Sequence, residues 1–282
     1  MKTLVQLKKY LRSLAMNRFN LVGLVILGIV FLVGLIGPIL TRFSPTDVNP
    51  ETRLLEPSFT YFFGTDELGR DIFTRIVYGT RISVGVALVA VLLAALVGTF
   101  LGAFSGFVGK WMDQFIMRST DVLLAFPTLV LALALAAALG ASMVNAALAI
   151  AIVKVPVYIR LARNQALSIA ERLYVKSART NGLSTMWIVR RHIVPNLISP
   201  IVVQVSLDLG DAILLIATLG FLGLGAQAPT PEWGAMISTG WNYLINQWWY
   251  PTFTGFAIFI TVMAFNILGD GVRDLLDPKA AE

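Results

Sequence analysis

Two aspartates three residues apart, Asp208 and Asp211, are the only charged residues between His192 and Glu232. If the run is helical they share one face, roughly 20 Å along the helix from its start. Setting a single aspartate at a bilayer centre costs about 2.5–3.5 kcal/mol on insertion scales. Two on one face therefore look into a water-filled path, where they favour a cationic group, or onto a Lys or Arg of this chain or of a second one. The other chemistry-bearing stretch is ERLYVKSARTNGLSTMWIVRRHIVPN, Glu171 to Asn196, a polar interruption between apolar runs. Glu171, Tyr174, Ala178 and Gly182 recur at steps of three and four, which predicts one helical stripe, with the small Ser177 and Ala178 allowing a second surface to approach. Gly182 after Asn181 predicts the end of that helix, Ser184 an N-cap for another, and Pro195 with Asn196 the start of the next apolar run.

Catalytic chemistry finds no support. The chain lacks cysteine and so has no thiol nucleophile or thiolate metal ligand. Its one histidine, His192, adjoins Arg190 and Arg191, where a capping or snorkelling role is expected. No serine-glycine nucleophile elbow, HExxH pair or pair of catalytic aspartates on two spans occurs, and no phosphate-binding glycine loop ends in Lys-Ser or Lys-Thr. The segment holding Gly64, Asp66, Gly69, Arg70 and Asp71 reads as a turn-rich unit whose acids are met by Arg70 and Arg75 rather than by a metal ion.

The elements that must position these residues are membrane helices. Of 282 residues, 57% are hydrophobic and 13% charged, and the mean hydropathy is +0.77, which excludes an ordinary soluble domain. The net charge of +6 does not point to nucleic acid, because the basic residues fall in short segments between apolar runs. With about 20 apolar residues needed per crossing, the charge-poor intervals predict six spans, at 19–40, 82–105, 122–140, 143–163, 195–224 and 252–270. The uncharged stretch from Val122 to Val153 divides at a turn marked by Gly140, Ser142 and Asn145. The first run, Phe19 to Thr41, is too long for a secretory core and reads as a retained span. Lysine and arginine counts place both termini, the 106–121 loop and the 160–192 loop in the cytoplasm. The 42–81 segment, where five arginines meet six carboxylates, and the 225–250 segment, with only Glu232, go to the other side. Trp241, Trp248, Trp249 and Tyr250 before the last span predict an interfacial belt.

The Glu171–Asn196 stretch resembles the EAA loop of ABC importer permeases. Glu171, Ala178, Arg179, Gly182, Ile193, Pro195 and Asn196 occupy the matching positions, with Ser177 where a second alanine is common. FGTDELGRDIFTRIVYGTRIS from Phe63, DVLLAFPTLVLALAL from Asp121, FLGLGAQAPTPEWGAMISTG from Phe221 and LGDGVRDLLDP from Leu268 are similar to segments of C-type dipeptide and oligopeptide permeases, in the same order. The resemblance implies an all-α polytopic chain with the type I ABC importer transmembrane fold. It divides into an amino-terminal part, 1–80, and a permease core, 81–282, with a coupling loop near 164–195. Glu171, Tyr174, Ser177, Ala178, Arg179, Gly182 and Ser184 would contact an ATPase subunit. The expected assembly holds a second homologous permease, two ATPase subunits that bind ATP and Mg, and an extracytoplasmic binding protein able to dock near the tryptophans, all at the inner membrane. This chain itself would bear no catalytic residue, metal or cofactor. Asp208 and Asp211 would then line the path of a peptide with a charged amino terminus, unless they serve structural pairing. Permeases of this kind also import nickel chelates, glutathione, opines or oligosaccharides. A proton-coupled secondary transporter working through Asp208 and Asp211 would leave the Glu171 loop unexplained and lacks the internal repeats usual in such folds.

Overall fold

A computed structural model describes residues 18–276, so the basic amino-terminal segment and the carboxyl tail beyond Leu276 lie outside the described residues. The described residues form ten α-helices and no strand: α1 Arg18–Leu40, α2 Ile72–Val108, α3 Lys110–Leu124, α4 Thr128–Leu139, α5 Met143–Ala170, α6 Leu173–Thr180, α7 Thr185–Ile188, α8 Val194–Phe221, α9 Trp233–Trp241 and α10 Trp249–Leu276. α1, α2, α5, α8 and α10 are long and apolar enough to cross a bilayer, and α3 with α4 makes a bent sixth candidate.

The third predicted span, 122–140, is the one the structure corrects. Its first residues belong to α3, and the chain turns by 95° before α4, whose 12 residues reach only about 18 Å. Pro127 is the cause: it has no N–H to donate, and it pushes Phe126 away from helical geometry. Counting uncharged residues gave the right interval but could not register the break. The turn expected at Gly140 is present. Gly140 takes φ +91°, the Ser142 hydroxyl accepts from the Asn145 amide, and the Asn145 side chain donates to the carbonyls of Leu139 and Gly140.

α2 and α5 form the central seam and run in the same direction. Gly98, Gly102 and Gly106 recur every four residues on α2. A Cβ would lie 2.5 Å from Tyr158 Cβ at Gly98, 2.3 Å from the Ile159 carbonyl at Gly102 and 2.7 Å from the Arg163 carbonyl at Gly106. With lipid as solvent, such close backbone approach and the dispersion contact it brings are what hold helices together. α8 and α10 pack antiparallel, with Gly210 against Asn266 and Gly269 against Leu207. α1 lies along α10 and α2. Its Pro38 leaves the Gly34 carbonyl without its helical donor, and Arg81 fills the gap, donating Nε to the Gly34 carbonyl and Nη2 to the Leu35 carbonyl at 2.6 Å.

At the end of the bundle opposite the Glu171–Asn196 loop, the 42–71 segment folds over α10. Arg70 bonds Asp66 at 2.6 Å and Glu67 at 2.9 Å, Arg75 lies 3.4 Å from Asp66, and the Tyr250 hydroxyl donates to Glu67 at 2.6 Å. The expected charge balance is thus met within the segment and its neighbours. The aromatic belt is only half present. Trp241 and Trp248 are exposed, whereas Trp249 and Tyr250 are buried, Trp249 against Gly64, because α10 turns their side of the helix toward the protein.

Candidate functional site

The Glu171–Asn196 loop has a buried underside and an exposed upper face. Val175 and Ala178 of α6, Ile188 of α7, Val189, Ile193 and Leu197 form a small core with Ala103 of α2 and Ala162, Ala166 and Ile169 of α5. This core is distinct from the main one, and each large side chain sealed in it contributes about 1.5–3 kcal/mol. α6 is therefore fixed to the ends of α2, α5 and α8. α7 is joined to α8 without interruption: Thr185–Phe221 is one helical run. A π-helical turn, Val189–Ile193, in which the Val194 amide bonds the Val189 carbonyl, widens the helix just ahead of Pro195. The widening relieves the clash that a proline ring makes with the preceding turn.

The coupling residues predicted from sequence fall differently on this frame. Glu171 caps the end of α5 and Arg172 is extended, so α6 begins only at Leu173. The expected stripe from Glu171 through Tyr174 and Ala178 to Gly182 is not one surface. Ala178 points into the small core, while Glu171, Tyr174, Ser177 and Arg179 are exposed. Glu171 pairs with Lys176 at 2.7 Å, and the Lys176 ammonium holds its carboxyl below the usual range. The Asn196 amide reaches the Tyr174 hydroxyl at 3.4 Å, and the His192 ring lies edge-on to Tyr174 and Trp187. Gly182, at φ +76°, reverses the chain where a side chain would be strained, and the Ser184 hydroxyl caps α7 by accepting from the Trp187 amide. The second helix, the one Ser184 was expected to cap, is a continuation of the fifth span. What the sequence reading missed is apolar: Leu173, 85% exposed, with Leu183, Met186 and Trp187, stands out on a loop otherwise polar on its upper side.

α3 is clipped to α5 near the same end. Arg163 grips Asp113 with two bonds of 2.6 Å, and Arg160 bonds Asp121 at 2.8 Å.

The aspartates of the fifth span have a partner in this chain. Lys154 of α5 donates to Asp208 at 2.6 Å and lies 3.3 Å from Asp211, and Gln204 donates to the second oxygen of Asp208 at 3.2 Å. Lys154 and Asp208 are buried, while the Asp211 side chain is 66% exposed. Asp211 faces a cleft of about 310 Å³ lined by Thr128 and Leu129 of α4, Lys154, and Leu214 and Thr218 of α8. The sequence held a signal for this pairing, since Lys154 is the only charged residue between Asp121 and Arg160. Glu232 was also missed. It is buried, accepts the Gly234 and Ala235 amides at 2.8 Å each as the N-cap of α9, and takes a 3.3 Å bond from Ser83. Burial pushes its carboxyl above the usual range against the pull of those donors.

Residues 98–282 match the model of the binding-protein-dependent transport system inner membrane component, and residues 6–57 match the N-terminal TM domain of oligopeptide transport permease C. The probable D,D-dipeptide transport system permease protein DdpC of Escherichia coli K12 is 50% identical over 256 residues, 91% of this chain and 86% of that protein. The dipeptide transport system permease protein DppC of Alkalihalophilus pseudofirmus is 46% identical over 268 residues, 95% of this chain and 88% of that protein. The glutathione transport system permease protein GsiD of Escherichia coli O6:H1 is 46% identical over 223 residues, 79% of this chain and 74% of that protein. With its apolar spans, its helical architecture and these matches, the chain belongs to the family of binding-protein-dependent transport system inner membrane components, the multi-pass permease subunits of ABC importers.

Proposed function

We propose that this chain is one of two membrane subunits of an importer that carries dipeptides or oligopeptides inward, driven by two ATPase subunits that bind ATP and Mg, and supplied by an extracytoplasmic binding protein. The observation that carries this reading is the two-faced loop from Glu171 to Asn196. Its upper face, with Glu171, Arg179 and the exposed Leu173, Leu183, Met186 and Trp187, suits a groove on an ATPase. Exposed apolar side chains rimmed by polar ones are the mark of a contact surface. The loop end is then cytoplasmic, and both termini with it, in agreement with the lysine and arginine bias.

The mechanical step follows from how the loop is built. When ATP draws the two ATPases together, their grooves carry the loops with them. α6 rests on the small core beneath it, and α7 continues into α8, so a displacement of the loop is passed to α5 and α8 rather than absorbed. Rigid-body rocking of helices about packed interfaces is the expected response. α8 bears Asp208 and Asp211, so the element that receives the push also lines the cleft.

Dipeptide and D,D-dipeptide permeases among the relatives favour short peptides as cargo. Glutathione is the second reading, supported by the 46% identical glutathione permease. The test is uptake of labelled dipeptide by cells producing the chain with its companions. Loss on ATP depletion and persistence with an uncoupler while ATP is maintained is the expected pattern; the reverse would establish proton coupling instead.

A further inference from the structure

We propose that the cleft between α4, α5 and α8 is a charge-reading station on the translocation path, where Asp211 pairs with an ammonium group on passing cargo. This deepens the importer reading and rests on it. The cluster holds one lysine against two aspartates and so carries an excess negative charge. Asp208 is satisfied, with Lys154 on one oxygen and Gln204 on the other. Among the described residues Asp211 receives only the longer Lys154 contact of 3.3 Å through Oδ2, and its side chain is 66% exposed. The excess charge therefore sits on Asp211.

Its position says what it faces. Asp208 and Asp211 lie about 21 and 26 Å from the start of a helix about 42 Å long, near the middle of the span. A carboxylate exposed at that depth is stable only against water or a cation. The cleft walls contributed by Leu129 and Leu214 are apolar, which strengthens any charge pairing inside. Lys154, shared between both aspartates, fills the place of the cation when the cleft is empty and stays on Asp208 when cargo takes Asp211.

The test uses the complete importer in proteoliposomes, with its companion subunits and its binding protein supplied fully loaded and saturating, so that capture by the binding protein does not set the comparison. ATP-driven uptake of Ala-Lys, Ala-Ala and Ala-Glu is measured. Asp211→Asn is expected to lower the Ala-Lys to Ala-Glu uptake ratio about ten-fold, and Asp211→Glu to restore it. An unchanged ratio in an assembled Asp211→Asn complex overturns the proposal. So does an Asp211→Asn chain that no longer holds its companion permease, which would assign Asp211 to the subunit interface. If the native complex imports none of the three peptides, the peptide-importer reading fails with it.

Discussion

Lys154→Met is the substitution whose effect follows most directly from the geometry. Lys154 Nζ and Asp208 Oδ1 are 2.6 Å apart, and both side chains are below a tenth exposed. Removing one partner of a buried pair leaves an uncompensated charge, at a cost of about 3–5 kcal/mol. Asp211, two-thirds exposed at 3.3 Å, behaves more like a surface partner worth about 0–1 kcal/mol. Three variants are thus ordered in advance. Lys154→Met is strongly destabilised, Asp211→Asn nearly neutral, and the double variant Lys154→Met with Asp208→Leu recovers most of the loss, because it removes both charges and keeps the volume apolar. The assay is thermal loss of the monodisperse peak of the detergent-purified chain on size exclusion, with the coupling energy taken from the double-mutant cycle. A Lys154→Met chain as stable as the native one, or a double variant no better than the single, would refute the reasoning, since either result means that the buried carboxylate is not held by Lys154.

Arg81→Leu should loosen α1 by leaving the Gly34 carbonyl without a donor, at about 1–3 kcal/mol for the unpaired group. Pro38→Ala restores the missing amide, so Arg81→Leu should cost much less in that background; equal losses in both would show that Arg81 does not stand in for the proline. Glu232 gives a pH dependence of definite sign. Its folded pKa is raised above 4.5, so between 4.5 and that raised value the native chain keeps a proton that the unfolded chain has released. Stability contributed by this group falls as pH rises through that window and levels off above it. Glu232→Gln should flatten that part of a stability-against-pH curve; an unaltered slope would exclude Glu232 as its source.

The spans were legible because lipid imposes a length and forbids charge, and both leave a plain mark on sequence. Five of the six predicted intervals lie largely within continuous helices. The third did not, because length and polarity carry no information about Pro127, whose effect is on backbone geometry. The loop was legible in its punctuation, at Gly182 and Ser184, and less so in its faces. Periodicity extended the α6 stripe back to Glu171, but the extended Arg172 breaks the register, and the buried side is set by Val175 and Ala178. Lys154 and the two aspartates were visible as isolated charges, yet their partnership depends on α5 and α8 being neighbours, which no local pattern encodes. Trp249 and Tyr250 follow the same rule: an aromatic cluster near a span end reads as a belt until packing turns half of it inward.

The central claim is that the exposed face of the Glu171–Asn196 loop receives the ATPase, and the most direct measurement is co-purification of the tagged chain from its own membranes in mild detergent, comparing the native sequence with Leu173→Asp. Leu173 is 85% exposed and touches no core, so the variant should fold. The expected result is that the companion permease remains in stoichiometric yield while both ATPases are lost; ATPases recovered undiminished with Leu173→Asp would contradict the claim.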